Sequence, residues 1–465
     1  MKKSFKSTFS VFLAAVMILS MVCFASAEYE IKSDYKIISP YEDVIWSGEN
    51  TWGAYKGNLH THSYVSDADV DLRDMIIEYY NQGFDFLAMT EHGVTGKAWN
   101  EKQTELPLYW YQRIIGNKVH TLTDEEYKAI TTGTYEVNGK SRSYGMTCVI
   151  GGNELNALTA TKCHVNGFFL PEGVGDNYLG YENDYEGAVK LADDAGAYSV
   201  INHPGDWLDS NTNRAAVSDP ENVEYFGKIL LKYDSCLGME VFNEKNATTP
   251  YDRVLWDNLL MYCLPYGKRV IGFSNGDTHS LNNVNSSFSV FMMEENTVEN
   301  IKKTMVSGAF FMVTRMIRSD SELGPKENMD KRTSFDPYPT FNEVTVDGHK
   351  IKISVKDCYN IQWVANGKVI ESKDITQSSD STEYILDLDT IDGAEDFLYV
   401  RCQLTGTDGI TLTQALEIDN GAEKLNYEED NSTSAKVDRF LYKFFSLRIF
   451  VFADEIYKLI AGVVK

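Results

Sequence analysis

Cationic side chains are scarce in this 465-residue sequence, with 43 Lys and Arg against 68 Asp and Glu and a formal charge of -25. A nucleic acid is therefore not expected as the main partner, because phosphate backbones are gripped by clustered Lys and Arg. A small anionic substrate held through a metal is still allowed. Cysteine is also sparse, with seven in all, and no Cys-x-x-Cys knuckle occurs. The six downstream of residue 27 (Cys148, Cys163, Cys236, Cys263, Cys358 and Cys402) are irregularly spaced. They are expected as mostly free, buried thiols, with Cys358 and Cys402 the one pair worth testing. The C-terminal stretch lacks an uncharged run long enough to span a bilayer, since Lys443, Arg448, Asp454, Glu455 and Lys458 interrupt it.

What is present divides the chain. Lys2, Lys3 and Lys6 precede an apolar run over residues 9–24, and Ala25-Ser26-Ala27 supplies small residues for cleavage. Residues 1–27 therefore read as a signal peptide, which implies a secreted or cell-surface protein. Residues 28–52 form a lead-in. From residue 53 to 315, short β-rich runs end in polar residues and alternate with helical stretches such as 72–82 and 185–195. Seven β-α steps predict an α/β fold, a barrel or a strongly curved sheet, whose functional groups gather at the carboxyl ends of its strands. Residues 97–145 interrupt that rhythm and read as a lid insertion. Residues 316–340 form a linker, and 341–418 change to alternating strands expected as an appended, independent β-sandwich. After a second linker over 419–438, residues 439–465 predict an amphipathic helix suited to membrane-surface contact.

Chemistry concentrates at the strand ends. His60 and His62, two apart in an extended segment, point to one face. Six of the eight histidines fall at such positions: His60, His62, His92, His164, His203 and His279. Asp67, Glu154 and Asp277 stand with them. Nine mixed imidazole and carboxylate donors exceed what one ion needs and predict two or three divalent metals, of the Zn, Mn or Fe kind rather than Ca or Mg. Glu91 and Asn202, each preceding a ligand histidine, read as residues that orient the rings. Glu240 and Asn243 could line the pocket, though an acid in a strand can equally be buried against an arginine. His120 and His349 stand outside the set, the latter as a solvated turn residue.

The order His60-x-His62, Ser66-Asp67, Thr90-Glu91-His92, Gly152-x-Glu154, His164, Asn202-His203-Pro204 and Gly276-Asp277-x-His279 resembles the PHP (polymerase and histidinol phosphatase) superfamily of metal-dependent phosphoesterases. The resemblance covers about residues 53–315 and implies a distorted seven-stranded β/α barrel with a trinuclear metal site. It implies that His60, His62, Glu154 and Asp277 share one metal, Asp67 and His92 a second with His279 nearby, and His164 and His203 a third. Glu91 replaces an Asp found in many members, which leaves His92 as the ligand. The leader, lid and appended β-module resemble the extracellular branch related to carbaryl-type hydrolases. The function so implied is secreted phosphoester hydrolysis by a metal-bound hydroxide; a carboxyl-ester or carbamate hydrolase with the same site, or an inactive surface-binding protein, are the alternatives.

Overall fold

The computed structural model describes residues 34–156, 162–178, 184–243 and 249–446. The expected signal peptide and the tail beyond residue 446 lie outside the described residues. Helix Leu72–Asn81 forms where the apolar spacing predicts it, burying Leu72, Met75, Ile76, Tyr79 and Tyr80 along one stripe. Helix Glu186–Asp194 does the same with Ala188, Val189 and Ala192. Helices Pro220–Lys232 and Asp252–Cys263 were not expected. The first has a legible start: the Asp219 side chain accepts from the Glu221 amide, and Pro220 occupies the first turn.

The expected closed barrel is corrected to two sheets of mixed direction. Strand Gly53–Asn58 lies parallel to Phe86–Ala88, which lies parallel to Thr147–Val149. A second sheet places Asn153–Leu155, Val165–Phe168, Tyr198–Ile201, Cys236–Phe242 and Ile271–Ser274 side by side in chain order. Its first two pairings are antiparallel and its last two parallel. The physical cause of the break is at Gly151, whose φ of 77° turns the chain between Thr147–Val149 and Asn153–Leu155. Glu154 thus sits on a new strand, paired antiparallel to its successor. Isolated bridges Thr61↔Thr278 and His92↔Glu154 tie the sheets at their polar ends.

The strands expected as a C-terminal sandwich share a sheet with those before them. Strand Phe310–Thr314, beside Ser287–Met293, pairs on its other edge with Gly409–Leu412. From there the sheet continues through Tyr399–Gly406 and Leu416–Asp419 to Lys36–Ile38 near the start of the described chain. Only Thr340–Asp347, Lys350–Lys356 and Thr382–Asp387 form a sheet of their own. Its Ile351 and Ile353 join a core that also holds Trp363, Leu404, Phe311 and Met75. Gly409–Leu412 is buried at all four residues, so it cannot stand as an exposed edge. A further clamp is the fully buried pair Arg401–Asp257, whose guanidinium donates to both carboxylate oxygens at 2.8 and 2.6 Å.

The insertion over 97–145 carries the short helix Trp110–Ile114, the helix Asp124–Thr132 with a Thr123–Glu126 capping box, and the hairpin Glu136–Val137 with Lys140–Ser141. It is pinned to the fold by Arg73 on Glu126 and by the His120 amide on Asp71 at 2.7 Å. The six described cysteines are buried, free thiols, Cys358 and Cys402 included. The last helix, Thr433–Ser446, begins within the segment the sequence suggests is a linker. Among the described residues, no helix is long and apolar enough to cross a membrane.

Candidate metal centre

The His60 and His62 segment leaves strand Gly53–Asn58 and is held in place by asparagine latches. Asn58 Oδ1 accepts from the His60 amide at 2.9 Å, and Asn275 Oδ1 from the Leu59 amide at 3.1 Å. The Tyr79 hydroxyl, rising from helix Leu72–Asn81, bonds Thr61 and Thr278 at 3.0 and 2.7 Å and so fixes the two ligand segments together. His203 and Asp277 sit at φ of 26° and 43°, a conformation costly for side chains of that size. The His203 amide recovers part of that cost by donating to Glu240 Oε2 at 3.1 Å.

All nine residues singled out in the sequence gather at this junction. Ligand atoms of His60, His62, Glu154 and Asp277 form one convergent group, those of His62, Asp67, His92 and His279 a second, and those of His92, Glu154 and His164 a third. His203 belongs to none of the three, but its Nε2 stands 3.4 Å from Glu154 Oε1 and 3.9 Å from Asp277 Oδ2. Glu154 is the hub. Its oxygens lie 3.2 Å from Nε2 of both His60 and His62, 2.8 Å from His92 Nδ1 and 3.1 Å from His164 Nδ1.

Partners outside the focus decide which nitrogen faces it. His60 Nδ1 donates to Glu240 Oε1 at 2.8 Å, leaving the Nε2 lone pair directed inward. His279 Nδ1 lies 2.8 Å from the Asp277 carbonyl, which only accepts, so a proton is held on Nδ1 and Nε2 is the nitrogen turned to Asp67, at 3.4 Å. Asn202 Nδ2 donates to Glu154 Oε1 at 2.9 Å. Glu91 stays out of the focus and accepts from the Ser63 amide at 3.0 Å and the Ser66 hydroxyl at 2.5 Å, bracing the loop that carries Asp67. Glu240, left undecided by the sequence, also accepts from Asn243 and Asn275. Asn58 and Asn275 were missed, although an asparagine at a buried strand end is itself a signal, since strands disfavour it.

The electrostatics favour a cation at the centre. Burial works against charge on the rings, yet Asp67 and Glu154 hold His92 up to about 10, and Asp67 and Asp277 hold His279 up to about 9. Burial resists ionisation of Glu154 too, but His60, His92 and His164 around it take its carboxyl well below the usual range. His164 is the exception, pulled down chiefly by burial. The donor set fits divalent metal. Among the described residues, Nε2 of His60 and His62 and both ring nitrogens of His203 make no hydrogen bond, although carboxylate oxygens stand 3.2 to 3.4 Å from each Nε2. Such buried orphans cost about 1–3 kcal/mol apiece unless something at their common focus satisfies them. Mixed imidazole and carboxylate donors suit Zn, Mn or Fe.

No family model matches this chain, and no curated protein matches it in sequence. Solved structures do. A two-domain protein from Bacteroides vulgatus containing a predicted PHP-like metal-dependent phosphoesterase is 16% identical, covering 83% of this chain and 99% of its own, at a TM-score of 0.41. The lesion-specific endonuclease PfuEndoQ from Pyrococcus furiosus is also 16% identical, covering 55% of this chain and 56% of its own, at a TM-score of 0.28. Neither likeness assigns a reaction to this chain.

Proposed function

We propose that this protein is a metal-dependent hydrolase of phosphoester bonds. The observation that carries the reading is the convergence of buried imidazole nitrogens and carboxylate oxygens on shared foci around Glu154, where Nε2 of His60, His62 and His203 has no hydrogen bond among the described residues. His60, His62, Glu154 and Asp277 would hold one ion, and Asp67, His92 and His279, with His62, a second; His164 and His203 complete the set near Glu154. Ions bound there would lower the pKa of water and neutralise charge on the ester oxygens. The chain's own work is orientation: Glu240 keeps the His60 proton on Nδ1, Asn202 keeps Glu154 turned to the focus, and Glu91 braces the loop of Asp67. Fixing donors before ligands arrive avoids reorganisation during reaction.

Export as a secreted or surface protein belongs to the same proposal, supported by the lysine-led apolar run at residues 2–24; so does kinship with the extracellular, carbaryl-type branch. The test loads the protein with Zn, Mn or Fe and compares aryl phosphates, phosphodiesters and aryl esters. Turnover of a phosphoester above the aryl esters is expected, with loss of both bound metal and turnover in His60→Ala. A His60→Ala protein with full metal stoichiometry and normal turnover overturns the reading, and preference for aryl esters moves it to carboxyl-ester hydrolysis.

A further inference from the structure

Helix Trp110–Ile114 of the insertion carries its polarity the wrong way round. Its Gln112 is buried and donates to the Ser66 and Ala68 carbonyls at 3.2 and 3.1 Å, so the polar side chain faces the protein. At about 100° per residue, Trp110 and Ile114 lie on the opposite side, where they are 58% and 70% exposed. Tyr111 and Ile115 widen this outward crest, Ile115 at 67%. A helix that only packs on its own fold shows the reverse arrangement, apolar side in and polar side out. The helix is also fixed in this orientation. Tyr109, just before it, donates to the His92 carbonyl at 3.3 Å, and Asn117, just after it, donates to Gln112 Oε1 at 2.6 Å.

The charges around the crest argue for what covers it. Residues 106–123 hold no Asp or Glu in a chain that has 68 of them, and they do hold Arg113 and Lys118. Glu105, the acid just before that run, is shared by Lys102 at 3.5 Å and Arg113 at 3.0 Å, which leaves positive charge in excess. The apolar crest itself is small: Trp110, Tyr111, Ile114 and Ile115 fall far short of the roughly 20–30 residues a side in a stable protein interface. An anionic bilayer asks for less area. A tryptophan and isoleucines enter its headgroup and acyl boundary while cations meet its phosphates.

We propose that the crest of the insertion docks on an anionic lipid surface, inserting Trp110, Ile114 and Ile115 and setting Arg113 and Lys118 against the lipid phosphates. The contact is independent of the reaction proposed for the metal centre. So few inserted side chains make a reversible contact, too weak to retain the protein on vesicles unaided, and it is read at Trp110 itself.

Of the seven tryptophans, all among the described residues, Trp110 alone is exposed, and none follows Trp363, so its fluorescence reports this face. Phosphatidylglycerol vesicles with brominated acyl chains should quench it. The quenching should be absent in Trp110→Phe and with brominated phosphatidylcholine vesicles. Titration should show binding weakened about fivefold in Lys118→Ala, since a cation at an anionic surface is worth about 1 kcal/mol. Ile114→Ser, which loses an inserted apolar side chain, should weaken it about tenfold or more. Trp110 left unquenched by phosphatidylglycerol overturns the proposal, as does quenching that persists in Trp110→Phe or is equal on phosphatidylcholine. A dimer in sedimentation velocity that Ile114→Ser dissolves also overturns it, because a second copy then covers the crest.

Discussion

Glu240 receives the Nδ1 proton of His60 at 2.8 Å while both side chains are buried from solvent, so one carboxylate on strand Cys236–Phe242 sets the tautomer of a ring more than 170 residues earlier in the chain. Glu240→Ala should weaken metal binding by about 10- to 100-fold, as loss of a partner behind a ligand histidine does. Glu240→Gln, which can still accept at its amide oxygen, should fall between that variant and the parent. Competition with a chromophoric chelator reads this directly. Equal affinity in all three proteins would remove Glu240 from the account.

The continuous sheet predicts that the C-terminal strands cannot be removed. A protein ending at Thr340 loses the partner of Phe310–Thr314 and the Arg401 guanidinium over Asp257. It should be recovered aggregated or without cooperative unfolding, as circular dichroism in denaturant would show. A soluble, metal-binding truncation would mean the pairing is dispensable.

Arg401→Met leaves Asp257 buried with, among the described residues, only the Tyr399 side chain to hydrogen-bond its carboxylate. A cost of about 3–5 kcal/mol is expected from unfolding in urea. The double change Arg401→Met with Asp257→Leu should recover much of it, because no charge is then stranded.

His349 stacks on Tyr35 at 3.9 Å, donates one ring nitrogen to the Tyr35 carbonyl and sets the other beside Asp389, so it clasps the start of the described chain rather than facing solvent as a free turn residue. The Asp389 contact raises its pKa above 6.5. A histidine raised on folding contributes stability in full below its unfolded value and loses it as pH rises through the folded one. The stability difference between the parent and His349→Gln should therefore shrink as pH is taken from about 5 to about 9. A difference independent of pH would sink the idea.

The last described helix exposes Val437, Phe440, Leu441 and Phe444, beside the basic Lys436 and Arg439. We propose that this face meets an anionic membrane surface. Co-sedimentation with phosphatidylglycerol vesicles should be lost when Phe440 and Phe444 are changed to Ser; equal sedimentation of both proteins would end the proposal.

The ligand residues were legible because their spacing is local: i and i+2 in an extended segment, or a polar residue directly after an apolar run. Their convergence was not legible in that way. Glu154 is expected just past the end of the run that precedes it, whereas the turn at Gly151 starts a new antiparallel strand that carries it, a choice made by pairing with Val165–Phe168. Helix Asp252–Cys263 escaped notice because Leu255, Trp256, Leu259, Leu260 and Cys263 are buried on so broad a face that no amphipathic stripe stands out. The break expected at residues 316–340 was read from prolines and polarity, and neither reports that Gly409–Leu412 returns to lie beside Phe310–Thr314.

That return sets an order of events. Lys36–Ile38 waits for Leu416–Asp419, and Gly53–Asn58, which leads into His60, waits for Ser287–Met293. Loops of this length close slowly, and their entropy must be met before the contacts reward it. A chain still emerging from its ribosome has the early histidines in hand but not the sheet that aims them. The site proposed to capture metal is thus complete only in the finished chain, after its last described strands have been released.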